Sequence, residues 1–188
     1  MNTVQTYLIL TPFLLATALG AEDKLSPAPS GYSWQNLASI KSYVLKPNGW
    51  FFKETKKGNT EGFLVSKENI DKSGGAKTSL TLNCIHDLPK KALKSPSAYS
   101  AEFADAAAAK YKLVERTTSS QGPFKAVRFR YVDAPAGKES MTVLNLLIAN
   151  DKTGTLFLIL FESPTSEWEE AKKIGDVILK KLMLDDEV

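Results

Sequence analysis

Apolar and polar residues alternate with a period of two along much of the chain after Tyr43, which is the pattern of β-strands. In the first half, four short runs show it: SYVL, WFFKE, GFLVSK and TSLTLNCIH. The segments between them are KPNG, TKKGNTE and NIDKSGGAK, and their glycine, proline and asparagine residues favour turns. The pattern therefore predicts a meander of strands.

Three runs are apolar on both faces, which requires cover on both faces of a sheet. Two of them, MTVLNLLIAN and TLFLILFE, flank the hairpin-length loop NDKTG. In the third, WFFKE, alternation places Trp50 and Phe52 on one face and Phe51 on the other. We expect all three aromatic side chains to build the core of a sheet that lies between two layers.

Helical segments supply the predicted layers. SPSAYSAEFADAAAAKYK is rich in alanine, Ser95 or Ser97 can cap a helix there, and Pro96 suits its first turn. TSEWEEAKKIGDVILKKL carries an apolar stripe and a capping box made by Ser166 and Glu169. Helical spacing over Trp34–Lys41 also predicts a short helical turn. Together these elements predict an α+β protein, a three-layer α/β/α sandwich with a mostly antiparallel central sheet.

The N-terminus has the layout of a secretory signal peptide. An apolar run extends from Tyr7 to Leu19, small residues follow, and charges begin at Glu22. The run is shorter than the roughly 20 residues that a membrane-spanning helix needs. We expect cleavage near Gly20 or Ala21 and export to the periplasm or the cell exterior. A retained N-terminal anchor is the alternative.

The chain divides into three predicted parts. Residues 1–20 are the signal peptide, and residues 21–33, rich in proline and serine, are a flexible lead-in. Residues 34–188 have the length of a single domain and form the predicted sandwich. The mature form is expected to have no integral membrane span.

Composition excludes several function classes. The 24 basic and 21 acidic residues leave a net charge of +3, and no basic patch indicates nucleic-acid binding. The chain has one cysteine and one histidine, so an internal disulfide is impossible and a zinc site lacks ligands. Nucleotide-binding and catalytic motifs are missing, so no cofactor is predicted. The terminal DDEV is expected to be a solvated acidic tail.

The one pair with catalytic potential is Cys84 and His86. They stand two apart on a predicted strand, so both side chains should point to the same face. A thiol beside an imidazole is the minimum for a cysteine nucleophile. Against this, free cysteine is among the most buried residue types, and a strand does not lower the thiol pKa as a helix N-terminus does.

Arg128 and Arg130 are the predicted partner-binding candidates. Within FKAVRFRYV they face away from Val127, Phe129 and Tyr131 and form a basic ridge. If the strand is at a sheet edge, the ridge can meet an acidic partner. If a helix covers the strand, the arginines need partners inside the protein.

The order of elements resembles the PsbP/Mog1-like superfamily. The resemblance rests on a P-x-G-W corner, Pro47 to Trp50, followed by a meander, a mid-chain helix, a long apolar hairpin and a C-terminal helix with Trp168. It covers residues 43–184. It implies a three-layer α/β/α sandwich and a binding or accessory role, as in photosystem extrinsic subunits, a small GTPase-binding protein and bacterial envelope proteins. No site residue is carried over, and the anchoring cysteine of the lipoprotein branch is missing.

These observations favour a non-catalytic, exported binding or accessory domain that docks on a protein or a membrane-associated complex. Two alternatives remain open. One is a secreted thiol-dependent enzyme that uses Cys84 and His86. The other is a carrier of a small ligand, with a pocket between the sheet and a helix.

Overall fold

The computed structural model describes residues 25–188, and the signal-peptide prediction for residues 1–20 lies outside that range. Within the described range the chain forms nine strands and four α-helices. The strands are β1 (Tyr32–Leu37), β2 (Ser42–Pro47), β3 (Phe51–Lys57), β4 (Thr60–Ser66), β5 (Ser79–Ile85), β6 (Leu113–Gln121), β7 (Phe124–Asp133), β8 (Met141–Asn150) and β9 (Thr155–Pro164). The helices are α1 (Ile70–Ser73), α2 (Leu88–Ala92), α3 (Pro96–Lys110) and α4 (Trp168–Lys180). In this part of the chain, no helix is long and apolar enough to span a membrane.

Seven of the strands form one sheet in the order β3-β4-β5-β9-β8-β7-β6, and every neighbouring pair is antiparallel. The predicted apolar hairpin is β8 and β9, and it occupies the middle of this sheet. Strands β1 and β2 form a separate antiparallel pair. The predicted α+β sandwich with a mostly antiparallel central sheet is confirmed.

One face of the sheet, the α4 face, is covered by α4 and the β1–β2 pair, which join it in a common core. The sheet contributes fully buried side chains such as Phe157, Ile159 and Phe161. Helix α4 contributes Trp168, whose ring centroid lies 5.9 Å from that of Phe161. Burying each large apolar side chain stabilises the fold by about 1.5–3 kcal/mol, so this core is the main source of stability.

The opposite face, the α3 face, is covered by α3, which packs on β7 and β8. Phe103 of the helix lies over Phe129 of β7 with 6.2 Å between ring centroids. The predicted helix start is also observed, since Ser95 Oγ accepts a hydrogen bond of 3.2 Å from the backbone N–H of Ala98. Strands β3, β4 and β5 lie beyond this helix on the same face.

The predicted helical turn over Trp34–Lys41 is wrong over most of its length. Trp34 lies in β1 opposite Leu45 of β2, and only Ala38–Ile40 form a short 3-10 turn. The turn ends at Lys41, which has a positive φ of 46°. Apolar spacing could not distinguish a strand followed by a tight turn from one helical turn.

Two details at the C-terminus also differ from expectation. The capping box at Ser166 is not formed: a 3-10 turn, Thr165–Glu167, leads into α4, and the N-cap residue is Glu167, whose side chain makes no capping hydrogen bond. The acidic tail is docked, because Asn150 Nδ2 donates a 2.8 Å hydrogen bond to the carbonyl of Asp186. Leu184, just before the tail, is 1% exposed.

Candidate functional site

Arg128 and Arg130 lie on the α4 face of β7, with β6 beyond them, so the strand is not at the sheet edge. Arg128 Nε donates to Glu115 Oε1 at 3.4 Å, and its Nη2 lies 3.8 Å from Asp176 Oδ1 of α4. Arg130 Nε lies 3.8 Å from the same Glu115 oxygen. Both side chains are mostly buried, with 27% and 20% of their surfaces exposed.

The guanidinium of Arg130 also lies 5.5 Å from the centre of the Trp168 ring, a distance at which cation–π attraction operates. The two arginines therefore tie β6, β7 and α4 together. The predicted alternation along the strand is confirmed, and the ridge has partners inside the protein. Its role in binding another protein stays a prediction.

Cys84 and His86 do meet, as their spacing predicts, and a third residue joins them. Cys84 Sγ lies 3.6 Å from His86 Nε2, which lies 3.6 Å from Glu61 Oε1 of β4. Cys84 is 0% exposed and Glu61 is 7% exposed. Sequence reasoning missed Glu61; its signal was that it is the one charged residue in the strand TEGFLVS.

The electrostatics of this cluster oppose nucleophilic chemistry. Burial, with a smaller contribution from the charge of Glu61, raises the pKa of Cys84 to about 12. Burial alone would raise the pKa of Glu61, but hydrogen bonds from Ser39 and Lys56 and the charges of Lys56 and His86 lower it below the usual value. A nucleophilic cysteine needs a lowered pKa and access to solvent. Cys84 has neither.

The same cluster does not form a metal centre. Lys56 Nζ lies 3.2 Å from Glu61 Oε1 and forms an ion pair with this carboxylate. Within residues 25–188, no group of three or more histidine, cysteine, aspartate and glutamate side chains is arranged to hold a metal ion.

A cavity of about 350 Å³, here called the α4 cavity, opens between the sheet and the beginning of α4. Its lining residues are Trp50, Lys67, Thr78, Ser166, Glu167, Glu170, Ala171 and Ile174. Thr78 is 2% exposed, and its hydroxyl has no hydrogen-bond partner. Sequence reasoning anticipated a pocket between sheet and helix but none of these residues as a site.

On the other side of the sheet, a surface of mixed apolar and polar side chains extends past α3 toward the β3 edge. We call it the open face and define it by Phe51, Leu64, Thr81, Leu160 and Glu162. Leu64, Thr81 and Leu160 are direct cross-strand neighbours on β4, β5 and β9, and each is only partly buried. The expectation that Phe51 builds the core is wrong, since it is 42% exposed.

Glu162 gives the open face a polar end. Burial raises the pKa of this carboxyl, and the hydrogen bond from Ser79 opposes the increase without cancelling it. Ser79 Oγ donates to Glu162 Oε1 at 3.4 Å. The raised pKa means that its surroundings within the protein favour the neutral form of this carboxyl.

Solved structures of other proteins have a similar fold. No family model matches the chain, and no curated protein matches its sequence. The solution structure of cyanobacterial PsbP (CyanoP) from Synechocystis sp. PCC 6803 is similar, with a TM-score of 0.53 and 11% identity over 88% of this chain and 98% of that one. The Saccharomyces cerevisiae Ran-binding protein Mog1p gives a TM-score of 0.52 and 13% identity over 82% of this chain and 96% of its own. The resemblance predicted from the sequence is therefore confirmed for the fold, which is that of PsbP and Mog1.

Proposed function

We propose that this chain is a non-catalytic, exported binding domain that docks through its open face on a protein, alone or within a membrane-associated complex. The observation that carries the proposal is the open face itself. Phe51 is a large aromatic residue with 42% of its surface exposed on the edge strand β3. The partly buried Leu64 lies diagonal to it on β4, and Leu160 lies two strands further along the same face. Aromatic residues are enriched in protein interfaces, so a large aromatic side chain that is exposed on an edge strand is a candidate contact for a partner.

The arrangement of the patch suits a protein partner. It combines the exposed ring of Phe51 and the partly buried Leu64 and Leu160 with polar and charged side chains, and aromatic residues are enriched in protein interfaces. Lys53, the next residue on this face of β3, is held by Asp71 at 2.7 Å. Because that lysine is already paired, the patch can be covered without leaving an unpaired charge beneath the partner.

Two further points support a binding role over catalysis. The cysteine that a thiol enzyme would need is buried, and its pKa is raised to about 12. Mog1p, which shares the fold, is a Ran-binding protein, so this architecture can support protein recognition.

Site-specific photo-crosslinking tests the docking surface. A benzoylphenylalanine at position 64, in cells that produce the protein, should give a discrete adduct with one partner. The same group at Val132, an exposed apolar position on β7, serves as the control because it lies on the α4 face. Phe51→Lys should remove the adduct from position 64, whereas Val132→Lys should leave it intact.

Thermal unfolding of both lysine variants checks that each still folds. If position 64 gives no discrete adduct, or if Phe51→Lys and Val132→Lys behave alike, the open face is not the docking surface. Turnover of a substrate by the purified protein would contradict the non-catalytic part of the proposal.

Export is tested separately from docking. The predicted signal peptide should be removed near Gly20 or Ala21, so the mass of the protein recovered outside the cytoplasm should correspond to a chain that begins there. Full-length protein in the membrane fraction would instead support the retained anchor, and full-length protein in the cytosol would contradict export.

A further inference from the structure

The loop that joins α2 to α3 presents Leu93 to solvent. With 89% of its surface exposed, Leu93 is the most exposed large apolar side chain in residues 25–188. Hydrogen bonds fix the helix that carries it. The N–H of the buried Leu88 donates to the carbonyl of Gly154 at 2.9 Å, and the N–H of Leu93 donates to the carbonyl of Pro89 at 3.0 Å. The structure around Leu93 therefore holds it outward.

The backbone of Leu93 has a conformation that suits glycine. Its φ is 55°, in the left-handed region, and it is the C-cap residue of α2. Helices often end with a glycine in this conformation, because a β-carbon there costs free energy. Neither the backbone nor packing explains a leucine at this position, since it is strained and its side chain is in water. Strain of this kind clusters at functional sites.

Lysines flank this leucine in the sequence. Lys90 and Lys91 precede it, Lys94 follows it, and all three are exposed. Lys90 pairs with Asp87 at 3.0 Å and Lys94 pairs with Glu102 of α3, but both ion pairs are open to solvent. Lys91 has no ion-pair partner in the part of the chain that the structure describes. The segment is therefore basic around an apolar tip.

Two neighbouring turns add lysines at the same end of the sheet. The β3–β4 turn lies beside α2, because the N–H of His86 donates to the carbonyl of Asn59 at 3.1 Å. The β8–β9 turn also lies beside α2, since its Gly154 carbonyl accepts from that helix. These turns contribute two lysines without ion-pair partners among the described residues, Lys57 and Lys152. The acid of the second turn, Asp151, is paired with Lys125 at 2.9 Å.

This arrangement favours an anionic lipid surface over a protein as the occupant. A protein interface buries its anchor residues within a broad, well-packed patch, whereas the other exposed large apolar side chains of the described range are on β3, β6 and β7. An isolated leucine among lysines suits a bilayer interface, where the apolar side chain enters the acyl boundary and lysines bind anionic headgroups. The acidic tail does not lie under the loop, because it is bonded to Ser42 of β2 on the α4 face, whereas α2 packs on the α3 face.

We propose that the α2–α3 loop is a membrane-contact site for anionic lipid, in which Leu93 enters the interface and Lys90, Lys91 and Lys94 contact the headgroups. The contact is peripheral and reversible, because one leucine and a few lysines supply only weak affinity. Phe51, which carries the proposed docking surface, is at the far end of β3 from the β3–β4 turn, so the two sites are separate.

Sedimentation of the full chain with lipid vesicles measures this binding. Vesicles of phosphatidylcholine and phosphatidylglycerol in equal parts should bind the protein at least about tenfold more tightly than vesicles of phosphatidylcholine alone. Lys91→Gln should weaken binding to the anionic vesicles about fivefold. Lys112→Gln is the matched control, because it removes the same charge beyond the other end of α3. It should bind as the unmodified chain does.

Leu93→Gly separates a role in membrane contact from a role in folding. It should weaken binding to the anionic vesicles about tenfold, because the apolar side chain is lost. Its stability in urea unfolding should equal or exceed that of the unmodified chain, because glycine suits the backbone there. Val114→Ser, which removes an exposed apolar side chain from β6, should leave binding unchanged. Lower stability of Leu93→Gly with unchanged binding would overturn the proposal.

Crosslinking identifies the occupant directly, whatever else holds the protein at a vesicle. Benzoylphenylalanine at position 93 should form adducts with phospholipid on the anionic vesicles and in cells, whereas the same group at position 114 should not. The absence of a lipid adduct at position 93, or a discrete protein adduct there in cells, would overturn the lipid assignment. Equal binding to the two kinds of vesicle would contradict the role of the lysines. None of these results depends on position 64 or Phe51, so this proposal and the docking proposal can fail separately.

Discussion

Cys84 illustrates at the scale of a residue how position determines chemistry. Its thiol lies 3.6 Å from an imidazole nitrogen, which is the geometry of an activated nucleophile. Yet the side chain is fully buried, and the carboxylate of Glu61 adds negative charge nearby, so the neutral thiol is favoured. In this protein Cys84 therefore contributes to the packing of the core, although a cysteine beside a histidine is the pair that a thiol enzyme uses.

The raised pKa of Cys84 predicts a dependence of stability on pH. The unfolded thiol ionises near its ordinary pKa of about 8.5, whereas the folded thiol keeps its proton to about pH 12. Between these values the unfolded chain binds fewer protons, so the free energy of unfolding falls as pH rises. This group should contribute a decrease of up to about 1.4 kcal/mol per pH unit above about pH 9.

Urea unfolding of the unmodified chain and of Cys84→Ala at several alkaline pH values measures this contribution. The variant should show the shallower decrease, since it lacks the thiol. Labelling of Cys84 by an uncharged thiol reagent should be slow in the native protein and fast in urea. Rapid native labelling, or equal slopes for the two proteins, would contradict a buried, neutral thiol and favour the enzyme alternative.

Gly175 gives a second prediction at this scale. A β-carbon at this position of α4 would lie 2.7 Å from Phe161 Cε1. Glycine to alanine usually stabilises a helix interior by about 1 kcal/mol. Here the clash with a buried ring should reverse the sign, and Gly175→Ala should destabilise the protein by about 1–3 kcal/mol. Gly75→Ala is the control, because a β-carbon there meets nothing within 4 Å.

Denaturant unfolding of the two glycine variants decides the matter. Gly75→Ala should be neutral or slightly stabilising. If Gly175→Ala were also neutral, the contact between α4 and Phe161 would be looser than the structure has it.

At the scale of elements, the two serines predicted to begin helices differ. Ser95 caps α3 through the N–H of Ala98, whereas Ser166 makes no capping hydrogen bond to α4. Ser95→Ala should therefore lower the free energy of unfolding by about 1 kcal/mol. Ser166→Ala should change it by only a few tenths, within the range of about ±0.5 kcal/mol that is usual for surface substitutions. Chemical denaturation of both variants is the test, and equal losses would mean that Ser166 does cap its helix.

The sequence predicted the types of the main elements because their periodicity is local. Strand β7 alternates as expected, with Phe129 on one face and Arg128 on the other. The start of α4 was harder to predict, because Ser166 followed by Glu169 matches the capping box, but a 3-10 turn intervenes. A local motif indicates which backbone geometry its side chains can stabilise. Whether the backbone adopts that geometry depends on the direction in which the chain leaves β9.

The candidate sites depend on contacts that no local pattern contains. Glu61 joins Cys84 because β4 pairs with β5. Phe51 is exposed because β3 is at the sheet edge, beyond the reach of α3 on β7 and β8. Period-two alternation correctly separates the faces of a strand, but it does not say which part of each face a helix will cover.

At the scale of the whole molecule, the pairing of β5 with β9 joins the two parts of the sheet. Leu82 lies opposite Ile159, so the first half of the chain joins the C-terminal hairpin directly. The pattern of strands and helices predicted this sandwich, and the resemblance to the PsbP/Mog1-like superfamily implied it too, but neither specified which strands distant in sequence pair with each other. The C-terminal segment also pairs with a distant part of the chain, since Tyr43 and Met183 exchange backbone hydrogen bonds of 2.9 and 3.1 Å.

The docked tail gives the last prediction. Asp185 N–H donates to Ser42 Oγ at 3.2 Å, the carbonyl of Asp186 accepts from Asn150, and Thr153 Oγ1 donates to the carbonyl of Val188 at 2.6 Å. Deleting residues 185–188 removes all three bonds. At about 1 kcal/mol each, the loss of unfolding free energy should be roughly 3 kcal/mol.

A variant that combines Asp186→Asn with Glu187→Gln provides the control for this deletion. It removes two charges but keeps the backbone groups that make these bonds, so its stability in urea unfolding should stay within about 0.5 kcal/mol of the unmodified chain. A merely solvated tail would make the deletion as harmless as the charge change. The expected difference between the two proteins arises because the tail joins β2 to the β8–β9 hairpin through its backbone.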